Sequence, residues 1–283
     1  MSIQYKRILK PIRLASLFVS LAPLLLFAQV EEQILPLVAM PMEQSFSQKT
    51  SAFGDTISLP IIDDFSRKST FTNSNFWADS KVYINSTIPT GLYSIGAATF
   101  DGTDQYGFPY DLTDNTSDSL ADVLTSRYIE FATPPVNLFL SFYYQAGGLG
   151  ELPEIEDSLT VQFWSPQDSI WEQVWAVKGN SVSTPFQAAI VPVNQPKFLM
   201  DGFRFRFAAY GARNGSFDIW NLDYVQLDIN RNASDTIIKE PAFVRQHPSI
   251  TKNFTHIPWF RYADISIKDS LTFTYRRNGP PPP

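Results

Sequence analysis

From residue 59 onward the apolar positions fall two apart, in short bursts separated by clusters of Gly, Pro, Asn, Asp and Ser. The strongest burst is Phe203, Phe205 and Phe207, which alternate with Arg204 and Arg206. A period of two is the signature of a strand with one buried face. A bend follows over residues 210–216, where Gly211, Asn214 and Gly215 tolerate positive φ. The chain then resumes with Trp220, Leu222, Tyr224 and Gln226 on one face of a second strand. Its other face carries Ile219, Asn221, Asp223, Val225 and Leu227. Both faces are largely apolar, which predicts a central strand in a pair of packed sheets.

The same reading predicts strands over residues 59–66, 81–84, 94–100, 124–131, 137–145 and 186–193. Residues 158–164 and 171–177 flank a turn bearing Pro166 and Asp168, as a hairpin would. Residues 101–118 and 146–155 are too rich in Gly and Asp, or in Gly alone, for core elements and read as loops. Roughly ten strands with no helical crossover predict an all-β fold, an antiparallel β-sandwich. At this length its natural form is a jelly roll, over residues 59–230.

Around that domain the texture changes. Residues 1–28 read as a signal peptide: four basic residues precede an apolar run, and Ala28 offers a cleavage point before Gln29. An uncleaved membrane anchor is the alternative. Residues 29–58 read as an extended lead-in without alternation. Residues 231–278 read as a partial second β-module, or as a segment completed by a partner. Strands are expected there over 242–244, 257–261 and 270–275. Residues 279–283 are a glycine and four prolines, an extended polyproline tail.

Composition narrows the function classes. The chain has no cysteine, which excludes a thiolate nucleophile, a cysteine metal site and a cysteine-linked lipid. An exported chain without disulfides must rely on its core, and 23 Phe, 12 Tyr and 6 Trp supply one. Formal charge is −6, and removal of Lys6, Arg7, Lys10 and Arg13 takes it to −10. An acidic body without a basic stripe argues against nucleic acid as a partner. The two histidines, His247 and His256, have no acid nearby and make neither a metal pair nor a triad.

The segments DDFS (63–66), ATFDG (98–102), LTSRYIEF (124–131), LSFYYQAGGLG (140–150), DSLTVQFW (157–164), WEQVWAVKG (171–179) and FDIWNLDYVQL (217–227) resemble, in order and spacing, a MAM-type, concanavalin-like jelly-roll module. Eukaryotic members carry cysteines that this chain lacks. LPIIDDFS (59–66), FRFRF (203–207) and DIWNLDYV (218–225) are also similar to amino-terminal modules of exported surface proteins of gliding bacteria that use type IX secretion. The resemblance implies a surface or secretion-associated binding module. It also implies a structural cation between the opening and closing strands.

For that cation, a calcium ion, the resemblance points to Asp63 or Asp64, Asp101, Asp104 and Asp223, with Asp64 and Asp223 foremost. The plainer reading is that these aspartates build turns by accepting from backbone N–H groups. Glu151, Glu154, Glu156 and Asp157 form the densest acidic cluster. On a strand, Glu154 and Glu156 would face the same way about 6.6 Å apart, near the separation of paired carboxylates in glycoside hydrolysis. Pro153 and the preceding glycines favour a solvated loop instead. Trp77, Tyr106, Phe108, Tyr110, Trp164, Trp171, Trp175, Trp220 and Trp259 are candidates for stacking on sugar rings or for an interface hot spot, and most of them are expected in the core. Tyr106, Phe108 and Tyr110, in a polar loop, are the candidate ligand-binding aromatics.

These features predict an exported, non-catalytic β-sandwich at the cell surface or in a secretion or adhesion assembly. Its partner would be a protein or a cell-surface glycan, with outer-membrane association through that partner. The alternatives are a polysaccharide-active enzyme using Glu154 and Glu156, and a structural spacer in a larger surface protein.

Overall fold

The structure, a computed structural model, describes residues 56–67, 69–113, 119–180, 182–235, 237–238, 240–254, 256, 258, 260 and 267–278. The predicted signal peptide, nearly all of the lead-in, Trp259, most of 257–261 and the proline tail lie outside the described residues. The strands, in chain order, are Thr56–Ile57 (β1), Ile61–Asp63 (β2), Tyr83–Asn85 (β3), Ala97–Phe100 (β4), Leu120–Thr125 (β5), Tyr128–Ile129 (β6) and Leu138–Ala146 (β7). Ser158–Ser165 (β8), Ile170–Lys178 (β9), Gln187–Val193 (β10), Arg204–Tyr210 (β11), Trp220–Asp228 (β12), Pro241–Phe243 (β13) and Tyr275–Arg277 (β14) follow. One 3-10 turn, Pro196–Phe198, lies between β10 and β11.

Two antiparallel sheets face each other, as the alternation predicts. The larger runs β10-β7-β12-β4-β3, and β2 shares with β4 one edge of β12. The smaller runs β5-β11-β8-β9. Between them lies the core. Phe142 of β7 meets Phe207 of β11 edge-on at 4.9 Å and Trp175 of β9 at 5.0 Å. The predicted hairpin is β8 and β9, paired from Ser158↔Lys178 to Ser165↔Ile170.

Three features of the packing extend or correct what periodicity predicts. First, β11 and β12 do not lie in one sheet; the bend between them carries the chain across the core from the smaller sheet to the larger. Second, strict alternation fails in β12. Trp220 and Leu222 join the core, but so do Val225 and Leu227, one position out of phase. The pairing with β7 slips between Asp223 and Gln226, and Tyr224 takes a φ of 54°, so a β-bulge turns the strand over. Tyr224 then packs on the far side of the sheet with Leu92, Ala97, Tyr143 and Phe186. Third, residues 124–131 are not one strand. The segment 76–78 takes over the pairing at the break, with Ala78 N–H donating to the Thr125 carbonyl and Arg127 N–H to the Phe76 carbonyl.

The far side of the larger sheet is a polar layer. Asn85 Nδ2 donates to Thr99 Oγ1 (2.7 Å), Thr99 donates to Asn221 Oδ1 (2.7 Å), and Asn221 Nδ2 donates to the Gly147 carbonyl (3.2 Å). Residues after 230 lie beside this layer, against the cluster of Leu92, Tyr143 and Tyr224. Arg231 reaches Ser141 Oγ and Asp235, and the Arg276 guanidinium sits 3.9 Å from the Tyr93 ring centroid. β13 pairs with β14 in a short ribbon, and Thr251 bridges Ile267. The strand expected over 270–275 is thus displaced to Tyr275–Arg277.

Candidate binding face and carboxylate cluster

The alternation that buries Phe205, Phe207, Val161 and Phe163 turns the intervening residues of β11 and β8 to the outer face of the smaller sheet. Register then sets them in rows. Arg204 lies opposite Trp164, and Trp164 opposite Trp171; beside this row run Thr125, Arg206, Gln162 and Gln173. Trp164 and Trp171 are half-buried, with ring centroids 5.5 Å apart. The Arg206 guanidinium lies 4.4 Å from the Trp171 centroid, while Arg204 lies 4.5 Å from Tyr128 and 5.9 Å from Trp171. Arg206 Nε also donates to Gln162 Oε1 (2.7 Å), and Gln162 Nε2 donates to Tyr210 Oη (3.0 Å). Asp79 accepts from Thr125 N–H at the edge of β5. Burial holds its carboxyl above the usual range, while its hydrogen bonds and the nearby Arg204 and Lys81 charges oppose that rise. Flat aromatic surface and fixed donors and acceptors thus stand side by side on strands.

The sequence names Trp164 and Trp171 among the stacking candidates but does not single out this face or its arginines. The signal was present: FRFRF puts two arginines on one side of a strand, and a hairpin with tryptophans near its turn lies beside it. The predicted ligand aromatics divide. Tyr106 and Phe108 are 57% and 66% exposed. Tyr110 is half-buried, donates to Asp122 Oδ1 (2.7 Å), and lies between Lys81 and Arg213 at 5.3 and 5.9 Å from its ring centroid. Burial and the adjoining Asp122 charge push its phenol well above its ordinary value.

The four predicted calcium ligands do not converge. Asp104 caps its own loop, accepting from Tyr106 and Phe108 N–H; Asp101 accepts from Thr103 N–H and Oγ1. Asp101 and Gly102 N–H donate to Asp122, whose carboxyl burial lifts to about 7. Asp64 and Asp223 are neighbours elsewhere. Asp223 is fully buried, accepts from Tyr93 N–H (3.1 Å), and leaves Oδ1 without a partner. Burial raises its carboxyl well above the ordinary value, and the Asp64 and Asp63 charges add to the rise. Asp64 Oδ1 instead closes a turn with Ser66 N–H and Oγ. Asp63 spends its oxygens on Phe65 N–H and Trp77 Nε1. Two carboxylates with one so engaged fall short of an oxygen cage.

Among the described residues, the three-acid cluster is Glu154, Asp157 and Asp218, whose ligand oxygens all lie within 4.8 Å of one another. Glu154 and Glu156 are not on a strand but in the loop before β8, so the strand spacing expected to set them on one face does not apply. Glu154 turns instead toward Asp157 and Asp218. Asp157 Oδ2 accepts from Glu154 N–H (2.6 Å), and Asp218 Oδ2 from Ala212 N–H (2.7 Å).

No protein-family model matches the chain, and no curated protein matches it. Among solved structures it is similar to a family 28 carbohydrate-binding module specific for non-crystalline cellulose: 12% identity, 55% of this chain, 89% of that one, TM-score 0.35. The K1 cleaved adhesin domain of Lys-gingipain from Porphyromonas gingivalis W83 is 11% identical over 61% of this chain and 99% of its own, TM-score 0.38. A point variant of a family 29 carbohydrate-binding module is 9% identical over 63% of this chain and 98% of its own, TM-score 0.34. At these values the likeness assigns neither a family nor a ligand.

Proposed function

We propose that the protein is an exported, non-catalytic module that binds a glycan chain through the outer face of its smaller sheet. The observation that carries this reading is the row Arg204–Trp164–Trp171 beside Arg206 and Gln162. A pyranose ring offers an apolar C–H face and an equatorial rim of hydroxyls. Indole faces suit the first, and guanidinium and amide groups suit the second. Because the groups stand on paired strands and are held by one another, little ordering cost is left for binding. Tyr106 and Phe108 form a second, looser aromatic surface, kept in this reading as an accessory contact. Export, surface location and a partial second module after residue 230 belong to the same reading, as does a structural calcium ion separate from the ligand face.

The test is retention of the purified protein in native gels cast with a panel of soluble polysaccharides. At least one polysaccharide is expected to retard the wild type, with Trp171→Ala migrating as in a blank gel at unchanged thermal midpoint. Retardation by none of them, or equal retardation of the variant, rejects the glycan face and leaves a protein ligand or the spacer role.

A further inference from the structure

We infer that Glu154, Asp157 and Asp218 form a calcium site at the strand ends where β8 and β12 begin and β11 finishes. Three carboxylates are gathered there with ligand oxygens no more than 4.8 Å apart. Asp157 is 0% exposed, and its Oδ1 has no hydrogen-bond partner. A buried carboxylate oxygen left without a donor, beside two other carboxylates, calls for a positive ligand. All the side-chain ligands are hard oxygens, which suit calcium, magnesium or manganese over softer metals. Calcium accepts oxygens at about 2.3–2.6 Å, so two of its ligands stand up to about 5 Å apart; magnesium draws them to about 4 Å. Oxygens within 4.8 Å of one another can all reach one calcium ion.

The surroundings leave room for the cluster. A Cβ at Gly211 would lie 2.6 Å from Asp218 Oδ2, and one at Gly179 would lie 2.0 Å from the Glu154 carbonyl oxygen. Neither glycine has a left-handed φ, so space and not backbone conformation is the constraint at both.

This inference assigns residues to the structural calcium ion of the proposed reading and does not rest on the glycan face. It is tested by thermal unfolding of the purified protein in calcium chloride, magnesium chloride and chelator, for the wild type, Asp157→Asn, Asp218→Asn and Asp64→Asn. A calorimetric calcium titration of the wild type keeps the test open should a variant not fold. The expected result is one calcium site and a midpoint rise of about 5–10 °C at a hundredfold excess over Kd. Magnesium should give a smaller rise, the calcium rise should vanish in Asp157→Asn and Asp218→Asn, and Asp64→Asn should keep it. Identical midpoints in calcium and chelator with no calorimetric site, or a rise that survives at 157 and 218 but is lost at 64, overturn the assignment. Either of those results leaves polysaccharide retention unaffected, so failure here is separate from failure of the glycan face.

Discussion

Arg206 joins the core to the proposed ligand face. Its neighbours Phe205 and Phe207 are fully buried, while its guanidinium covers Trp171 and fixes Gln162. A lysine has the charge but not the planar fork, so it cannot stack and hydrogen-bond together. Arg206→Lys should therefore weaken polysaccharide binding about tenfold, ~1.4 kcal/mol, and Arg206→Ala at least as much. Binding isotherms would show it; an unchanged affinity in Arg206→Lys would mean that charge alone suffices. Trp77 is a different case. It lies in the core against Phe65 and Phe205 and donates to Asp63 Oδ2 (2.7 Å). Trp77→Phe keeps most of the apolar contact but strands a buried carboxylate oxygen, which costs about 1–3 kcal/mol in chemical denaturation. At this scale the sequence marks which aromatics exist but not their exposure. Trp77 and Trp164 have equally polar neighbours in the chain, and only the fold buries the first and half-exposes the second.

At the scale of the element, periodicity predicts what lies within one strand. The alternation of β11, the long apolar run of β7 and the β8–β9 hairpin are all visible in the chain, because each depends on neighbouring residues. What is not visible depends on a residue out of step. Nothing around Tyr224 announces a positive φ, yet that residue reverses the facing of Val225 and Leu227. The bulge also brings Tyr224 to Leu92, Ala97, Tyr143 and Phe186. The carboxylate cluster escaped for a related reason. Asp218 is 61 positions from Asp157 in numbering, and the two meet only because β11 and β12 lie in opposite sheets. Asn221 shows how the larger sheet is tied together: it accepts from Thr99 and donates to Gly147. Asn221→Ala breaks both links within a fully buried layer and should cost about 2–3 kcal/mol. An unchanged midpoint would show that the polar layer contributes no net stability.

For the whole molecule, the distinctive feature is the number of buried acids. Burial raises Asp63, Asp79, Asp101, Asp218 and Asp223, and takes Asp122 and Asp157 to about 7. In the unfolded chain such groups titrate at about 3.9. Between about pH 4 and pH 7 the folded state therefore binds more protons than the unfolded state, and stability falls as pH rises. The contribution is complete below about pH 4 and is lost as pH passes through 7. In chelator, the thermal midpoint should be higher at pH 5.5 than at pH 8; a flat or opposite profile would show that the acids are charge-compensated in the fold.

The ligand face is the central claim, and tryptophan fluorescence reaches it directly. Trp164 and Trp171 are half-exposed on that face, whereas Trp77 and Trp220 are in the core. Titrating the polysaccharide that best retards the protein should give a saturable spectral change in the wild type. The change should disappear in the Trp164→Phe/Trp171→Phe double variant, which retains the core tryptophans. A saturable change of the same size in the double variant would place binding elsewhere on the molecule and contradict the account.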